Sequence, residues 1–393
     1  MAMQFYDVQP DYVCTPMNIL DTPQGQFTLN RYPLRKDEQL RAWDAADEYL
    51  LLHLAELGLP SKSSKTLILN DAFGALSIAL ADSHPITVTD SYISEQAIGA
   101  NSKINDTDPD KISLQNSLQP LIEIYDLIII KVPKNLAMLE HQLFKIRDCC
   151  NENTLILAAA MSKYIHTSTL KIFDRIIGPT TTSLARKKAR LVISKLDKSL
   201  NPGEAPFPDQ YTLETTGDTY LNHANVFSRE KLDLGSRFML EYIAQSNNYK
   251  NILDLACGNG VLGIAAARIN PQSNVCFVDE SYMAVESARI NAQNIIQDNK
   301  RLSFTVTDCL QGIEKDSLDL ILNNPPFHQN HAVGDFIAWQ MFSEAREKLK
   351  AGGELLIVGN RHLGYHIKLK RLFGNCETVA SNKKFVILKA IKH

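Results

Sequence analysis

The chain has 393 residues, of which 45% are hydrophobic and 22% charged, and its formal net charge is −3. This length favours two domains, and this composition is typical of a globular protein. The near-neutral balance gives no overall sign of a nucleic-acid partner, so any such partner would have to meet a local basic patch.

The seven cysteines are scattered along the chain, and no two of them form a C-x-x-C pair. An odd, dispersed set argues against a disulfide framework and against a structural zinc site. The first residues, M-A-M-Q-F-Y-D-V-Q-P, do not resemble a signal peptide, and no apolar stretch approaches the ~20 residues needed to span a bilayer. We therefore expect a cytoplasmic protein that needs neither a membrane nor a metal, and we expect a monomer.

In chain order, the first strong pattern is a single long amphipathic helix over residues 40–57. A duplication follows it. The stretch T-L-I-L-N-D-A-F-G-A-L-S-I-A-L, which starts at Thr66, aligns with I-L-D-L-A-C-G-N-G-V-L-G-I-A-A, which starts at Ile252. V-T-D-S-Y matches V-D-E-S-Y, and D-L-I-I-I-K-V-P-K matches D-L-I-L-N-N-P-P-F. Matches in the same order predict two copies of one unit, at residues 66–196 and 251–392.

Each copy alternates β-branched runs with helix-like stretches, which predicts a doubly wound α/β sheet. In the second copy, the predicted strands span residues 252–256, 275–279, 303–307, 318–322 and 354–358. The predicted helices span residues 261–269, 283–296 and 336–349. Glycines 352 and 353 are expected to stop the last helix. The residues after 373 predict an antiparallel hairpin at the sheet edge.

The two copies are separated by N-P-G-E-A-P-F-P, a stretch rich in proline and glycine that starts at Asn201. We therefore predict one domain over residues 1–200 and a second over residues 205–393.

A glycine-rich loop connects the first strand and helix of the second copy. Gly258-Asn-Gly-Val-Leu-Gly263 is a literal G-x-G-x-x-G, and Asp279 follows about 20 residues later. On that pattern alone, a dinucleotide-binding dehydrogenase is a fair competitor. Against it, Asp254 lies four residues before the first glycine, where a carboxylate is awkward beside a pyrophosphate but useful near a cationic ligand.

S-adenosylmethionine fits this set better, because its sulfonium is positive and it carries no phosphate. The loop residues Gly258, Asn259 and Gly260 would let the backbone approach the ligand closely, and Asp279 would accept from the ribose hydroxyls. Asp308, just past the third strand, would accept from the adenine amino group. Asp279 and Asp308 could instead each cap the following helix.

The landmarks D-x-A-C-G-N-G, V-D-E-S, N-P-P-F-H and K-A-G-G-E-L resemble a class I methyltransferase. The motif F-S-R-x-x-L-D-x-G-S followed by N-P-P-F-H is similar to the ribosomal RNA guanine-N2 methyltransferases of the RlmG/RsmC group, and the N-terminal details resemble its large-subunit branch. The resemblance implies two tandem Rossmann-like domains, a degenerate copy followed by an active one. It also implies methyl transfer from S-adenosylmethionine to N2 of a guanine in large-subunit (23S) ribosomal RNA.

The motif Asn324-Pro-Pro-Phe-His328 suits that chemistry, because the exocyclic amine of guanine is a poor nucleophile whose lone pair is delocalised into the ring. The Asn324 side-chain oxygen and the Pro325 carbonyl would accept its two hydrogens, and the prolines would hold that carbonyl in place. Phe327 would stack on the base, and Pro326 and His328 would contact RNA. The alternative is a turn that closes a strand. His328 and His331 form an H-x-x-H without an evident third metal ligand.

In the first copy, Ala72 and Phe73 replace Gly258 and Asn259, so bulkier groups stand where a cofactor would lie. Lys131 and Lys134 stand opposite Asn324 and Phe327, and an ammonium cannot accept from an amine. The copy should therefore be inactive. We predict that it docks RNA through phosphate contacts of a basic set, namely Lys131, Lys134, Arg186, Lys187 and Lys188.

Three alternatives to this reading stay open. The same N-P-P-F site could methylate adenine N6 or glutamine, the guanine could lie in small-subunit RNA, or the protein could bind RNA without catalysis.

Overall fold

The computed structural model describes residues 18–35, 38–243, 249–326 and 331–393, and for residues 331–335 it describes the backbone only. Two seven-stranded sheets carry the fold, and each belongs to one copy of the duplication. Both sheets are flanked by helices, so the predicted tandem α/β architecture is confirmed. Among the described residues, no helix is both long enough and apolar enough to cross a membrane.

The first copy begins with a hairpin and a helix and continues as alternating strands and helices. These are β1 (Ile19–Thr22), β2 (Gly25–Thr28), α1 (Ala45–Glu56), β3 (Thr66–Leu69), α2 (Ala75–Ala79), β4 (Ile86–Thr89), α3 (Tyr92–Ile104), β5 (Ser113–Asn116), β6 (Leu127–Lys131), α4 (Leu136–Arg147), β7 (Leu155–Met161), α5 (Thr167–Ile176), β8 (Thr180–Thr182) and β9 (Ala189–Ser194). The sheet order is β5-β4-β3-β6-β7-β9-β8; β9 pairs antiparallel with both β7 and β8, and the other neighbouring strands pair parallel.

The second copy repeats that order of helices and strands. These are β10 (Asp209–Thr212), β11 (Thr219–Asn222), α6 (Leu234–Leu240), β12 (Asn251–Leu255), α7 (Val261–Ile269), β13 (Asn274–Asp279), α8 (Tyr282–Ile295), β14 (Leu302–Val306), β15 (Leu318–Asn323), α9 (His331–Lys348), β16 (Leu349–Asn360), α10 (Tyr365–Phe373), β17 (Glu377–Ser381) and β18 (Phe385–Ile391). The sheet order β14-β13-β12-β15-β16-β18-β17 matches that of the first copy strand for strand.

The central strands are buried on both faces, as expected for parallel strands covered by helices. In β3, Leu67 and Leu69 pack into the apolar cluster on one face of the sheet, whereas Ile68 packs into the cluster on the other face. In β12, Leu253 and Leu255 likewise pack into the cluster on one face of the sheet, and Ile252 packs into the cluster on the other face. Each copy therefore has its own two-sided core.

The structural repeat is longer than the sequence predicted. The hairpin and helix before each sheet, β1–β2 with α1 and β10–β11 with α6, occupy equivalent places in the two copies. Helix α1 begins at Ala45 and not near residue 40, because the side chain of Asp44 caps it by accepting from the Ala46 N–H. The predicted C-terminal hairpin is confirmed as β17 and β18.

Another difference concerns Gly352 and Gly353, which were expected to stop a helix. Helix α9 already ends at Lys348, and both glycines lie inside β16. Gly352 has φ +79°, and a side chain on Gly353 would lie 3.0 Å from the Leu318 carbonyl oxygen. The two glycines therefore help β16 pair with a neighbouring strand, and they do not end a helix.

The two copies meet through equivalent segments, residues 90–92 and residues 280–282. The Tyr92 N–H donates to the Glu280 carbonyl at 2.9 Å, and the Tyr282 N–H donates to the Asp90 carbonyl at 3.0 Å. Each segment supplies the N-cap serine of the helix that follows it, α3 or α8. The contact is therefore nearly symmetric.

A carboxylate from each copy also caps the helix of the other. Asp90 accepts from the Met283 N–H of α8 at 2.9 Å, and Glu280 accepts from the Ile93 N–H of α3. Burial raises the pKa of Glu280 to about 7 and also raises the pKa of Asp90. Because free N–H groups at a helix start need acceptors, each copy completes a helix of its neighbour.

Candidate active site

The end of β15 carries the proposed catalytic asparagine. Asn324 follows the last strand residue, and buried Pro325 ends the sheet ladder there. The Asn324 side-chain nitrogen donates to Asp233 Oδ2 at 3.0 Å and to Ser236 Oγ at 2.9 Å. Among the described residues, the buried Asn324 Oδ1 has no hydrogen-bond partner. A free acceptor is therefore held at the carboxyl edge of the second sheet.

Asp233 and Ser236 come from the start of α6, and the sequence analysis did not assign them a role. Asp233 caps α6 by accepting from the Ser236 N–H at 2.9 Å. Gly235 lies between them, and a side chain there would lie 3.0 Å from Asp233 Oδ2 and 3.6 Å from Asn324 Oδ1. The signal in the sequence is the spacing D-x-x-S, which lies within the motif that carries the family resemblance.

The glycine loop lies beside this asparagine, because the ends of β12 and β15 are neighbours. Asn323 donates to the Leu255 carbonyl at 2.8 Å, and the loop begins directly after Leu255. Gly258 and Gly260 have φ +55° and +84°, in the left-handed region that favours glycine. A side chain at Gly258 would meet no described atom within 4 Å. The loop therefore faces open space next to Asn324.

Asp279 lies at the end of β13, at the same edge of the sheet. Its Oδ2 accepts from the Gly258 N–H at 3.0 Å, so the carboxylate also supports the glycine loop. Burial raises its pKa. Its position beside the loop suits the predicted contact with ribose hydroxyls.

Asp308 is buried after β14 and accepts from the Gln340 side chain at 3.3 Å. No helix of the described chain begins directly after it, so it does not cap one. Burial and then the charge of Asp308 raise the pKa of Tyr32, a residue of the first copy. The first copy thus reaches the end of the pocket predicted to hold adenine.

Two predicted cofactor ligands occupy other positions. Asp254 is 1% exposed, accepts from the Gly263 N–H at 2.8 Å and has a pKa raised to about 8 by burial. The Gly263 N–H thus occupies Asp254 Oδ2 from within the protein. Asn259 is also buried, and its side chain bonds Tyr211 at 3.0 Å and Asn222 at 2.9 Å. Both residues support the loop from within the protein.

The structure describes only some of the remaining residues of the motif. Pro326 is half-buried directly after Pro325. Phe327 and His328 lie outside the described residues, and so does the side chain of His331. Within the described part of the chain, no group of three or more His, Cys, Asp and Glu residues is arranged to hold a metal.

In the first copy, the position equivalent to Asn324 is chemically different. The sequence analysis predicted that Lys131 contacts phosphate, but the structure pairs it with two carboxylates of its own copy. Its ammonium is 2.9 Å from Asp44 and 2.7 Å from Asp47, and its side chain is only 16% exposed. Two carboxylates neutralise the charge, so the earlier prediction for Lys131 is corrected.

The first copy also closes the equivalent of the glycine loop. The Asp71 carboxylate accepts from the N–H groups of Gly74, Leu76 and Ser77 at 2.8–3.0 Å. These groups begin α2, and the internal carboxylate occupies them. Phe73 stands where the second copy has Asn259. The first copy therefore lacks the open loop that a cofactor would need.

Other predicted RNA-contacting residues lie at the carboxyl edge of the first sheet. Lys134 is exposed after β6, and its Nζ lies 5.5 Å from the centre of the Tyr164 ring. Arg186, Lys187 and Lys188 are exposed in the turn between β8 and β9, and Lys187 also pairs with Glu48 at 2.7 Å.

Comparisons with known proteins cover nearly the whole chain. The RLMG N-terminal domain family matches residues 17–198, and the Methyltransferase small domain family matches residues 218–389. The ribosomal RNA large subunit methyltransferase G of Pseudoalteromonas translucida (strain TAC 125) is 50% identical over 371 residues, which cover 93% of this chain and 96% of that protein. Its namesake from Streptomyces coelicolor is 43% identical over 379 residues, which cover 95% of this chain and 100% of that protein.

A solved structure shares the tandem fold. The T. thermophilus 16S rRNA N2 methyltransferase RsmC, solved in complex with AdoMet and guanosine, matches with a TM-score of 0.72. The match covers 95% of this chain and 97% of that one at 18% sequence identity. A likeness at this identity concerns the architecture of the two copies.

Proposed function

The chain belongs to the ribosomal RNA large subunit methyltransferase G family, and we propose that it transfers a methyl group from S-adenosylmethionine to N2 of a guanine in large-subunit (23S) ribosomal RNA. The observation that carries the proposal is the buried, unpartnered Oδ1 of Asn324 beside an open glycine loop. We also propose a cytoplasmic location, because the proposed substrate is ribosomal RNA.

The chemistry follows from the acceptor. S-adenosylmethionine, when bound, supplies the activated methyl group. Asn324 Oδ1 accepts one hydrogen of the guanine amine, and the Pro325 carbonyl accepts the other, which favours a pyramidal nitrogen with its lone pair free for attack. The methyl carbon would leave the cofactor's sulfur as the N–C bond forms, S-adenosylhomocysteine would be the leaving group, and the nitrogen would lose one of these hydrogens as a proton to solvent.

The cofactor fits the second copy through its backbone and two carboxylates. Gly258 and Gly260 allow close approach to the loop, and Asp279 and Asp308 lie at the ends of neighbouring strands, where they accept from ribose and adenine. Phe327 remains our candidate for stacking on the target base, with Pro326 and His328 next to it.

The test uses labelled S-adenosylmethionine with naked ribosomal RNA, assembled subunits, DNA and protein, followed by mass-spectrometric mapping of the methylated atom. N2-methylguanosine in large-subunit RNA is expected. In Asn324→Ala, transfer should fall by about 100- to 1,000-fold while cofactor binding is retained. Label on adenine N6 or on glutamine would overturn the guanine assignment, and RNA binding without transfer would overturn catalysis.

We further propose that the first copy docks RNA through a basic patch, defined as Lys134, Lys163, Arg186, Lys187 and Lys188. The patch is continuous, because the Ser162 N–H donates to the Lys188 carbonyl at 2.7 Å and both Lys134 and Lys163 lie over the Tyr164 ring. Lysine and arginine at one edge suit phosphates, and the ring offers a stacking face.

Charge reversal tests the basic patch. Lys134→Glu with Lys188→Glu should weaken RNA binding and lower the slope of log affinity against log salt by about one for each lost phosphate contact. Affinity for S-adenosylmethionine should not change. Lys62→Glu, exposed in the loop before β3 at the opposite edge of the same sheet, is the control. An equal loss in the control would remove the patch from the proposal.

A further inference from the structure

We infer that Asp233 and Ser236 are positioning residues of the methyl-transfer site, because they hold the amide of Asn324 with its oxygen, and not its nitrogen, toward the substrate amine. This inference rests on the proposed function and assigns the orientation on which that function depends. It concerns residues at the start of α6, about 90 positions before Asn324 in the chain.

Hydrogen-bond chemistry determines the orientation. An ionised carboxylate can only accept, so Asp233 Oδ2 must face donors, and it faces the Ser236 N–H at 2.9 Å and Asn324 Nδ2 at 3.0 Å. The Ser236 hydroxyl oxygen accepts from the same nitrogen at 2.9 Å. Both amide hydrogens are thus used. Turning the amide over would break two bonds and place its oxygen against a carboxylate.

The opposite end of the amide is left for a ligand. Asn324 Oδ1 is buried and lacks a partner among the described residues. An unmet buried acceptor is costly, and protein structures tolerate few of them. A donor that enters with the substrate would satisfy it. The carboxylate at the other end of the amide polarises it and makes Oδ1 a stronger acceptor.

The inactive copy contains the same arrangement with different chemistry. Asp44 and Asp47 occupy the N-cap and third positions of α1, as Asp233 and Ser236 do for α6. They bind Lys131, the residue at the position of Asn324, at 2.9 and 2.7 Å. In both copies, a helix start thus holds the residue at the carboxyl end of the fourth strand of the sheet. Of these two residues, only Asn324 keeps a hydrogen-bond acceptor, Oδ1, that no described group uses.

The decisive variant is Asp233→Asn, assayed in the full chain. Asparagine keeps the shape and the capping ability of aspartate, but its amide can donate to Asn324 and so allows the turned orientation. We expect kcat to fall about 100-fold, with KM for RNA and Kd for S-adenosylmethionine unchanged within about twofold. Ser236→Ala removes one of the two hydrogen bonds to the Asn324 amide. It should lower kcat by a smaller factor, again with KM for RNA and Kd for S-adenosylmethionine unchanged.

Asp44→Asn is the matched control, because it makes the same change at the equivalent position of the inactive copy. It should lower the unfolding temperature and leave kcat unchanged. Wild-type kcat in Asp233→Asn would overturn the inference, and so would a parallel loss of kcat, cofactor affinity and unfolding temperature, which would make Asp233 only a helix cap. If Asp233→Asn does not fold, Ser236→Ala decides alone, and an unchanged kcat there overturns the inference.

Failure of the proposed function is separately visible. It would appear in the wild-type enzyme as a methyl group on an atom other than guanine N2. A wild-type enzyme that makes N2-methylguanosine while Asp233→Asn keeps full kcat would reject the positioning role alone.

Discussion

The two copies arrange seven strands in the same order, but the residues at the carboxyl end of the fourth strand, Lys131 and Asn324, have opposite surroundings. In the first copy, two carboxylates surround Lys131, whose ammonium can only donate. In the second copy, a carboxylate and a hydroxyl hold Asn324 and leave its oxygen free. The difference shows that, in one fold, a few side chains at the strand ends decide whether this edge is used for internal packing or for chemistry.

The glycine loops differ in the same sense. Asp71 satisfies the first N–H groups of α2 from inside the protein, whereas the second copy has Cys257 at that position and open space at Gly258. The first copy gains internal hydrogen bonds where the second keeps room for a ligand. We expect substitutions that exchange these features to move activity and stability in opposite directions.

The largest effect is expected from Asn324→Lys, which copies the inactive residue into the active copy. An ammonium cannot accept from an amine and repels a sulfonium, so transfer should fall by more than about 1,000-fold and cofactor binding should weaken as well. Asn324→Ala, by contrast, should retain cofactor binding. Transfer assays and calorimetry check both. Measurable turnover in Asn324→Lys would refute the acceptor role.

Lys131→Met tests the first copy. It leaves buried Asp47 and half-exposed Asp44 without their cation, which should cost about 3 kcal/mol of unfolding free energy, while kcat below the unfolding temperature should stay the same. Urea unfolding measures the loss. Exposed Lys134→Met is the control, with an expected stability change within about 0.5 kcal/mol. Unchanged stability together with weaker RNA binding would restore the phosphate role of Lys131.

The third prediction concerns the carboxylates that join the copies. The pKa of Glu280 is raised by burial from its ordinary 4.5 to about 7, so the folded protein holds the proton more tightly than the unfolded chain. Its contribution to stability is therefore full below pH 4.5 and is lost as the pH rises to 7. Glu280→Gln should remove this dependence, which amounts to a few kcal/mol.

Urea unfolding of wild type and Glu280→Gln at several pH values between 5 and 8 measures that difference. The stability of the wild type relative to the variant should decrease with pH. Glu230→Gln, at an exposed position, should give a difference that does not vary with pH. A constant difference for Glu280→Gln would mean that its proton is not linked to folding.

The smallest effect is expected from Gly258→Ala, which copies Ala72. The left-handed φ of +55° disfavours alanine by about 1–2 kcal/mol, and the new methyl group projects into the space for the ligand. Kd for S-adenosylmethionine should rise about tenfold, with kcat at saturation nearly unchanged. Gly217→Ala has a similar φ of +75° in the β10–β11 turn and should leave Kd unchanged. Equal effects would contradict a ligand space at Gly258.

Much of the fold could be predicted from local patterns. Helix 261–269 and the strands of the second copy follow from periodic apolar residues, and the duplication follows from matching motifs. The two hairpins and α6 were missed, and the predicted helix at α1 was not recognised as part of the repeat, because only D-x-x-D and D-x-x-S connect these segments in sequence. Their equivalence becomes visible only from the contacts that they make.

The sequence predicted candidate site residues, but it could not predict the partners that the structure gives them. A lysine after a strand suggests a phosphate contact, and nothing near Lys131 in the sequence shows that its carboxylates lie 87 and 84 positions earlier. Likewise, a polar residue near a strand end can face the pocket or the core. Asp254 and Asn259 face protein partners, and only the packing of the loop determines this.

The stoichiometry of S-adenosylmethionine binding to the full chain, measured by calorimetry, tests the contrast between the copies most directly. We predict one molecule per chain, with binding unchanged in Lys131→Met and weakened in Gly258→Ala. Two molecules per chain, or one that survives disruption of the second copy's loop, would contradict the assignment of a single working site.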